Sequence, residues 1–400
     1  MEQPRSVKNK WYYPQAIADD LRGVNLPAAV KEETLACAWE YTRCVIPHYT
    51  NWSRYVAFMR TIIIGTIAEF QGSLLDVAAG DEILGYDLGQ VLDDLFHDTA
   101  AHQEMSREYR SFLLITADKT HSRRAGRFFK QYVRALAETP RQWFRMRDAD
   151  ALARFSMAAA LACNDLDTDC LSPAQTEIMA EIAVTLYDAT AFFKHRAERE
   201  TNNTFAYVPA DGRLEAFHQA RQVLWALDVG YASKPGFHVI CNFVRSFGGP
   251  IHMEMRRYRY VEDGLTIGRA ETQKVVEAAR SHVKLWNRVE SDHDSNEDLR
   301  RYEAVLQRED LLFDGLAGFL QRGPSCMHCK YRTDSGEMYQ FSGIELCASC
   351  RIEWQAHVRS LPERALCVFP EPACTAFNER RQMTDYMNSI DQSTEQALKL

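Results

Sequence analysis

A chain of 400 residues with 46% hydrophobic and 26% charged side chains has the composition of a globular protein with a sizeable core, long enough for two or three domains or for one large helical domain with an appendage. Its net charge of −8, with no concentrated basic face, argues against nucleic acid as a partner. The opening MEQPRSVKNKWYYP lacks the apolar centre of a secretion signal. The longest apolar run, around Ile62–Ile67, is interrupted by Gly65 and Glu69 and too short for a membrane span, so a cytoplasmic protein with reduced thiols is expected despite eleven cysteines.

Residues 1–26 read as a polar, proline-containing arm. From Pro27 to Pro47 the apolar spacing is helical, with acids early, as a helix N-terminus prefers. Asn51 or Ser53 can cap a second helix that ends near Gly72; it is apolar nearly all round and should be central. Glu69 falls in its last turn, where the helix dipole disfavours an acid and so raises the chance of a ligand role. Residues 73–104 are mixed, punctuated by Gly80, Gly85 and Gly89, and contain the acidic DDLFHD at Asp93–Asp98. Helices are predicted at about 105–120, 123–138 and 141–163. Another follows Ser172-Pro173, a cap with proline at the first helical position, and further ones are predicted at 212–229, 235–247, 268–289 and 296–321. No stretch reads as a set of alternating strands, and residues 27–322 are expected to form an all-α domain.

Gly323-Pro324 closes that domain. Beyond it Cys326 and Cys329 form one CxxC pair and Cys347 and Cys350 a second, with 17 residues between them, the length of a hairpin that folds back. Two thiolates from each pair suit one tetrahedral ion, so a closed, structural zinc site is expected, with His328 a bystander. Residues 323–377 are assigned to this module, including a helix over 351–370, and residues 378–400 to a polar tail.

The stretch TLYDATAFFKHRAERETNNTF, Thr185 to Phe205, sets Asp188 one to two turns before Lys194, His195 and Arg196 on one amphipathic helix. A carboxylate and a cationic cluster so spaced suit a divalent metal and the anion bound to it. In an all-α domain with no dinucleotide or phosphate loop, two enzyme classes stand out. A haem protein needs a helical histidine facing a cavity, for which His48, His195, His238 and His252 are weak candidates. An isoprenoid diphosphate enzyme needs carboxylates for magnesium, cations for diphosphate and an aromatic cavity for a carbocation. Glu69, Arg145, Arg147, Asp188, Lys194, Arg196, Arg256, Arg257 and Tyr258 supply the polar parts, and Trp52, Tyr55, Phe58, Trp143 and Phe192 the rings. The rival is a non-catalytic helical scaffold carrying a zinc module, which would show no thermal stabilisation by magnesium and diphosphate.

The runs CAWEYTRCVIPHYTNWSRYVAFMR, YRSFLLITADK, QWFRMRDADALARF, ALACNDLD, FFKHRAE with NNTFAY, and NFVRSFGGPIHMEMRRYRYVEDGLTIG resemble the α-ionylideneethane synthases, fungal sesquiterpene synthases of the abscisic acid pathway. The resemblance covers about residues 11–370, the four-cysteine module included. It implies a class I terpene synthase-like helical bundle and conversion of farnesyl diphosphate with Mg2+ to a monocyclic C15 triene, by ionisation, proton loss to a linear tetraene, reprotonation and ring closure. It also implies that the usual aspartate-rich motif is missing.

Within that resemblance, Tyr187 to His195 occupies the frame of the second metal motif, with Asp188 its only surviving acid, and Asn203 matches the trailing asparagine. Lys194, His195 and Arg196 are expected to grip diphosphate. Arg147 and Asp150 fit a diphosphate-sensing arginine and its acidic linker, with Arg145 the alternative, and Arg257-Tyr258 resembles the pair that closes on diphosphate. Glu69, 119 residues before Asp188, is the expected first magnesium ligand; Asp93, only 95 before it, is not, so DDLFHD is read as a solvated acidic turn. NDLDTD at Asn164–Asp169 is read as structural, and Glu33 and Glu40 are weaker candidates for metal or proton handling. The expected catalytic set is therefore Glu69, Asp188 and Arg147, with Mg2+ on Glu69 and Asp188 and Zn2+ on the four cysteines; a homodimer is compatible with this reading.

Overall fold

The computed structural model describes residues 12–77, 79–118, 126–197, 202–208, 210–254, 295–323, 326–331 and 344–369. The first two helices, α1 (Ala28–Val45) and α2 (Trp52–Phe70), form an antiparallel pair. Asn51 caps α2 by accepting the Arg54 N–H at 3.1 Å. α2 is buried on nearly every face, as its continuous apolar sequence requires. α3 (Leu88–Phe96) and α4 (His102–Asp118) pack against it. Gly65 is what lets α4 close in: a Cβ there would lie 2.9 Å from the Phe112 ring.

Between α2 and α3 the sequence predicts only glycine punctuation. The structure has a small hairpin, β1 (Glu82–Ile83) paired antiparallel with β2 (Tyr86–Asp87). Its two-residue loop needs positive φ at both positions, which Leu84 (φ 56) and Gly85 (φ 81) adopt. DDLFHD is also helical rather than a turn over most of its length. Asp93 and Asp94 lie in α3, Asp94 accepting from Gln90 at 2.8 Å, and the chain turns at His97 and Asp98, the latter with φ 58.

α5 (Arg127–Arg134) leads through a 3-10 turn to α6 (Pro140–Ala151), and α7 (Ala153–Ala162) follows at once. The single helix predicted at 141–163 is thus two. Leu152 is left-handed (φ 54, ψ 31), and the Asp148 carboxylate accepts the Arg154 N–H at 2.9 Å, capping the new helix across the break. No glycine or proline marks this site.

α8 (Pro173–Ala197) opens with the expected cap, in which the Ser172 hydroxyl accepts the Gln175 N–H at 3.3 Å and the Gln175 side chain accepts the Ser172 N–H at 3.0 Å. α9 (Ala210–Gly230), α10 (Pro235–Phe247) and α11 (Ile251–Glu254) follow. The predicted helix 296–321 is divided into α12 (Ser295–Gln307) and α13 (Leu316–Gln321). The predicted helix 268–289 and the tail 378–400 lie outside the described residues.

The four-cysteine module holds an antiparallel pair, β3 (Lys330–Tyr331) with β4 (Ile344–Glu345), then α14 (Ala348–Arg359) and α15 (Leu361–Val368). Both helices pack on the main bundle, α14 on α6 and α9, α15 on α8 and α9. One apolar core runs from Ile17 to Phe369 and takes in Cys329 and Trp354. Among the described residues, no helix is long and apolar enough to cross a membrane.

Candidate active site

The chemistry-bearing residues of α6 and α8 meet at a buried charge cluster. Arg147, 2% exposed, reaches Asp188, 0% exposed, through two nitrogens: Nη2 to Oδ1 at 2.7 Å and Nε to Oδ2 at 3.2 Å. Its third nitrogen, Nη1, donates to Asp150 Oδ2 at 2.8 Å, one turn on along α6. Burial works against the Arg147 charge, but Asp188 and then Asp150 outweigh it and hold the guanidinium protonated well above its ordinary range.

The segment after α8 supplies the remaining donors. Asn203 accepts the Phe205 N–H at 2.9 Å and starts a 3-10 turn, Thr204–Ala206. That bend aims both the Thr204 N–H and its hydroxyl at Asp188 Oδ2, each at 2.8 Å. Asn203 donates to the Asp188 carbonyl at 2.9 Å and sits 2.9 Å from His195 Nδ1. Asp150 Oδ2 also accepts from Asn202 at 2.7 Å and from the Tyr132 hydroxyl at 3.0 Å; burial, then the Asp150 charge, pushes the phenol far above its usual range. Behind the cluster, Trp143 stacks on Tyr132, with centroids 5.8 Å apart and planes 6° apart, and donates from Nε1 to Thr204 Oγ1 at 3.0 Å.

The Asp188 carboxylate therefore receives four hydrogen bonds, and neither oxygen faces open space. A magnesium ion fits at Asp188 only if one of those donors lets go. Glu69 ends α2 half-buried, and neither it nor Asp188 belongs to a group of three or more metal-ligating side chains among the described residues. Arg145 faces away from Arg147. It pairs with the fully buried Glu108 and lies over the Phe313 ring, its Cζ 3.7 Å from the centroid. Burial raises the Glu108 carboxyl even though Arg145 opposes the shift. Arg257 and Tyr258 lie outside the described residues, as do the side chains of Lys194 and Arg196.

Of the rings expected to shelter a cation, Tyr55 and Phe58 are buried in α2, Trp143 backs the charge cluster, Trp52 is partly exposed and Phe192 lies under Arg213. Glu33 is buried on α1. Asn164–Asp169 is tied down structurally. Asp165 accepts from Thr50 at 3.0 Å and Asn51 at 2.9 Å, joining the end of α7 to the start of α2. A cavity of about 670 Å3 opens between α6, α8, α14 and α15. Arg145, Asp148, Glu181, His357 and Arg364 line it, but Arg147, Asp150 and Asp188 do not.

The four cysteine sulfurs converge, all within 4.8 Å of one another, with Cys326 Sγ 3.9 Å from Cys347 Sγ. A tetrahedral ion with metal–sulfur bonds of about 2.3 Å sets its sulfurs roughly 3.8 Å apart, so a metal such as zinc fits. The backbone N–H of His328, followed by that of Cys329, draws the Cys326 thiol down to about 6, toward the thiolate a metal needs, while burial pushes Cys329 up to about 11.

The family model described as alpha-ionylideneethane synthase aba3 matches residues 9–371. The chain belongs to the alpha-ionylideneethane synthase family. Relatives include alpha-ionylideneethane synthase abl3 of Leptosphaeria maculans, 56% identical over 373 residues, covering 92% of this chain and 88% of the relative. Alpha-ionylideneethane synthase aba3 of Botryotinia fuckeliana is 57% identical over 369 residues, 91% and 84% of the two chains. Alpha-ionylideneethane synthase abl3 of Pyricularia oryzae is 49% identical over 435 aligned positions, 92% and 84%. The family match spans both the Arg147–Asp188 cluster and the four cysteines. Tyr132, Asn202 and Thr204, which complete the cluster, carry no expectation from sequence. The one local signal for them is the NNT that follows the α8 cations.

Proposed function

We propose that this protein is a sesquiterpene synthase that converts farnesyl diphosphate to α-ionylideneethane, an early step of abscisic acid biosynthesis. The observation that carries the reading is near-full-length identity of 56–57% to relatives bearing that name. Arg147 is the proposed diphosphate-facing cation. A guanidinium has five N–H donors; three point at Asp188 and Asp150, and the other two can meet an anion only if this 2% exposed cluster opens toward substrate. Asp188 and Asp150 fix its plane, so the fork is set before substrate arrives and loses little freedom on binding. Lys194, Arg196, Arg257 and Tyr258 are assigned to the same anion. Arg145 takes a secondary place, because it must leave Glu108 to join them.

Glu69 and Asp188 remain the proposed magnesium carboxylates, with Asp188 exchanging a donor for the ion. Magnesium, when bound, neutralises charge on the departing diphosphate. The chain's own part is to hold the anion, orient the prenyl chain against apolar walls and keep water from the cation. Ionisation, proton loss to a linear tetraene, reprotonation, ring closure and a final proton loss from the cyclic cation complete the proposed sequence. The four cysteines are assigned a closed, structural zinc.

The test is direct: purified protein is incubated with farnesyl diphosphate and Mg2+, and the hydrocarbon extract is analysed. A single C15 triene is expected, and an extract without C15 hydrocarbon rejects the assignment.

A further inference from the structure

Asp188 is connected to the four-cysteine module by an unbroken line of contacts. Cys347 occupies the position just before the first residue of α14 and Cys350 sits in its first turn, so the four-cysteine cluster lies at the start of that helix. Trp354, one turn beyond Cys350 and 1% exposed, points into the bundle. Its Nε1 donates to the Leu136 carbonyl at 3.0 Å, which fixes the ring plane. Its ring meets Trp143 edge-on, with centroids 6.4 Å apart and planes at 66°, and lies against Phe144 at 5.9 Å. Trp143 in turn holds Thr204, and Thr204 places two donors on Asp188. On its other face Trp143 stacks on Tyr132, which bonds Asp150. The indole against Trp354 thus supports both aspartates that hold Arg147.

A second strut runs in parallel. Arg364 of α15 and His357 of α14 both bond Glu181, which lies seven residues before Asp188 on α8 and therefore on the same helix face, about two turns away.

We propose that Trp354 is a positioning residue for the Arg147–Asp188 pair. It acts through Trp143 and Thr204, so that the module sets the geometry of the diphosphate-facing cluster. This rests on the functional reading given above. A tryptophan lodged against a second tryptophan has little room to turn, because interiors are packed as densely as organic crystals. Removing it lets Trp143 rotate and slackens the Thr204 donors without touching any group that meets substrate. Misplacement by about 1 Å at a remote position costs roughly 100-fold in rate.

The experiment compares wild type with Trp354→Leu, Trp354→Phe, Thr204→Val and the double variant Trp354→Leu/Thr204→Val. All are assayed on farnesyl diphosphate at a temperature where circular dichroism shows each folded. Ile352→Ala, on the exposed face of α14, is the control. Trp354→Leu is expected to lower kcat about 10- to 100-fold with KM changed less than about threefold. Trp354→Phe, which keeps a ring edge on Trp143, is expected to recover most of that loss. In the Thr204→Val background, Trp354→Leu is expected to add less than about twofold, because both act through one contact line. A Trp354→Leu enzyme with wild-type kcat, or losses at Trp354 and Thr204 that simply multiply, overturns the proposal and leaves the functional reading standing. A wild type that makes no C15 hydrocarbon overturns both.

Discussion

Arg147 and Asp188 lie 41 residues apart in the chain, on different helices, and meet as a two-pronged pair with both partners at most 3% exposed. Such a pair is worth little as a net stabiliser, since desolvation offsets attraction, but breaking it from one side leaves a buried charge uncompensated. Arg147→Lys keeps the charge and loses the planar fork. It is expected to lower stability by about 1–3 kcal/mol in urea unfolding and to reduce hydrocarbon yield at least about 10-fold. A variant with wild-type stability and yield removes the central role given to this pair.

Asp188→Asn and Glu69→Gln each keep size and remove one charge. At position 188 the change also sets an amide N–H2 against Arg147 or the Thr204 donors, a donor meeting donors. Both substitutions are expected to lower turnover strongly while the helical circular dichroism stays intact. If both variants keep their activity, the magnesium assignment is wrong.

Metal analysis of gently purified protein is expected to give about one zinc per chain, and Cys347→Ser or chelation to destabilise the fold, because ligation there is coupled to folding. Loss of α14 anchoring should also expose Trp354, now 1% exposed, as a red shift in tryptophan emission. Protein without zinc and with unaltered melting would count against the module as a metal site.

Glu181 gives the molecule an acid-sensitive joint. Burial alone would raise its pKa, but hydrogen bonds from His357 and Arg364 prevail and hold the carboxyl below its ordinary value. A depressed folded-state pKa contributes stability that is present above the unfolded value of about 4.3 and lost as pH falls through the folded value. The stability difference between wild type and Glu181→Gln should therefore be largest near neutrality and shrink below about pH 4. It is measured as urea midpoints across pH. A difference that stays constant with pH would show that Glu181 does not titrate with folding.

How much of this is visible in the sequence follows the range of each interaction. Local signals serve well. The Asn51 cap, the Ser172-Pro173 start and the central burial of α2 all come from residues within a few positions of one another. The CxxC spacing also names four cysteines that the fold brings together. Asp150, Trp143 and Asn203 each stand out in the sequence, but not as parts of one network. Tyr132 reaches Asp150 across 18 residues and Asn202 reaches it across 52, with no period to announce either contact. The break at Leu152 is invisible because its cap is an Asp148 side chain reaching six residues forward. Arg145 and Arg147 look equivalent in WFRMRDAD, yet two residues are about 200° apart on a helix, so one meets Asp188 and the other Glu108.

The lock at Asp165 has a consequence for the order in which this protein can be made. Thr50 and Asn51 give both their backbone N–H groups to the Cys163 carbonyl, at 3.0 Å each, and their side chains to Asp165. During synthesis the first fifty residues therefore wait for more than a hundred others before the start of α2 has its partners. Chains emerge at about 5–20 residues per second, so this central, largely buried helix remains without its anchor for roughly 6–20 s. Over that interval α2 has α1, and then α3 and α4, for cover, and any fragment that stops before residue 165 lacks the anchor at the start of α2.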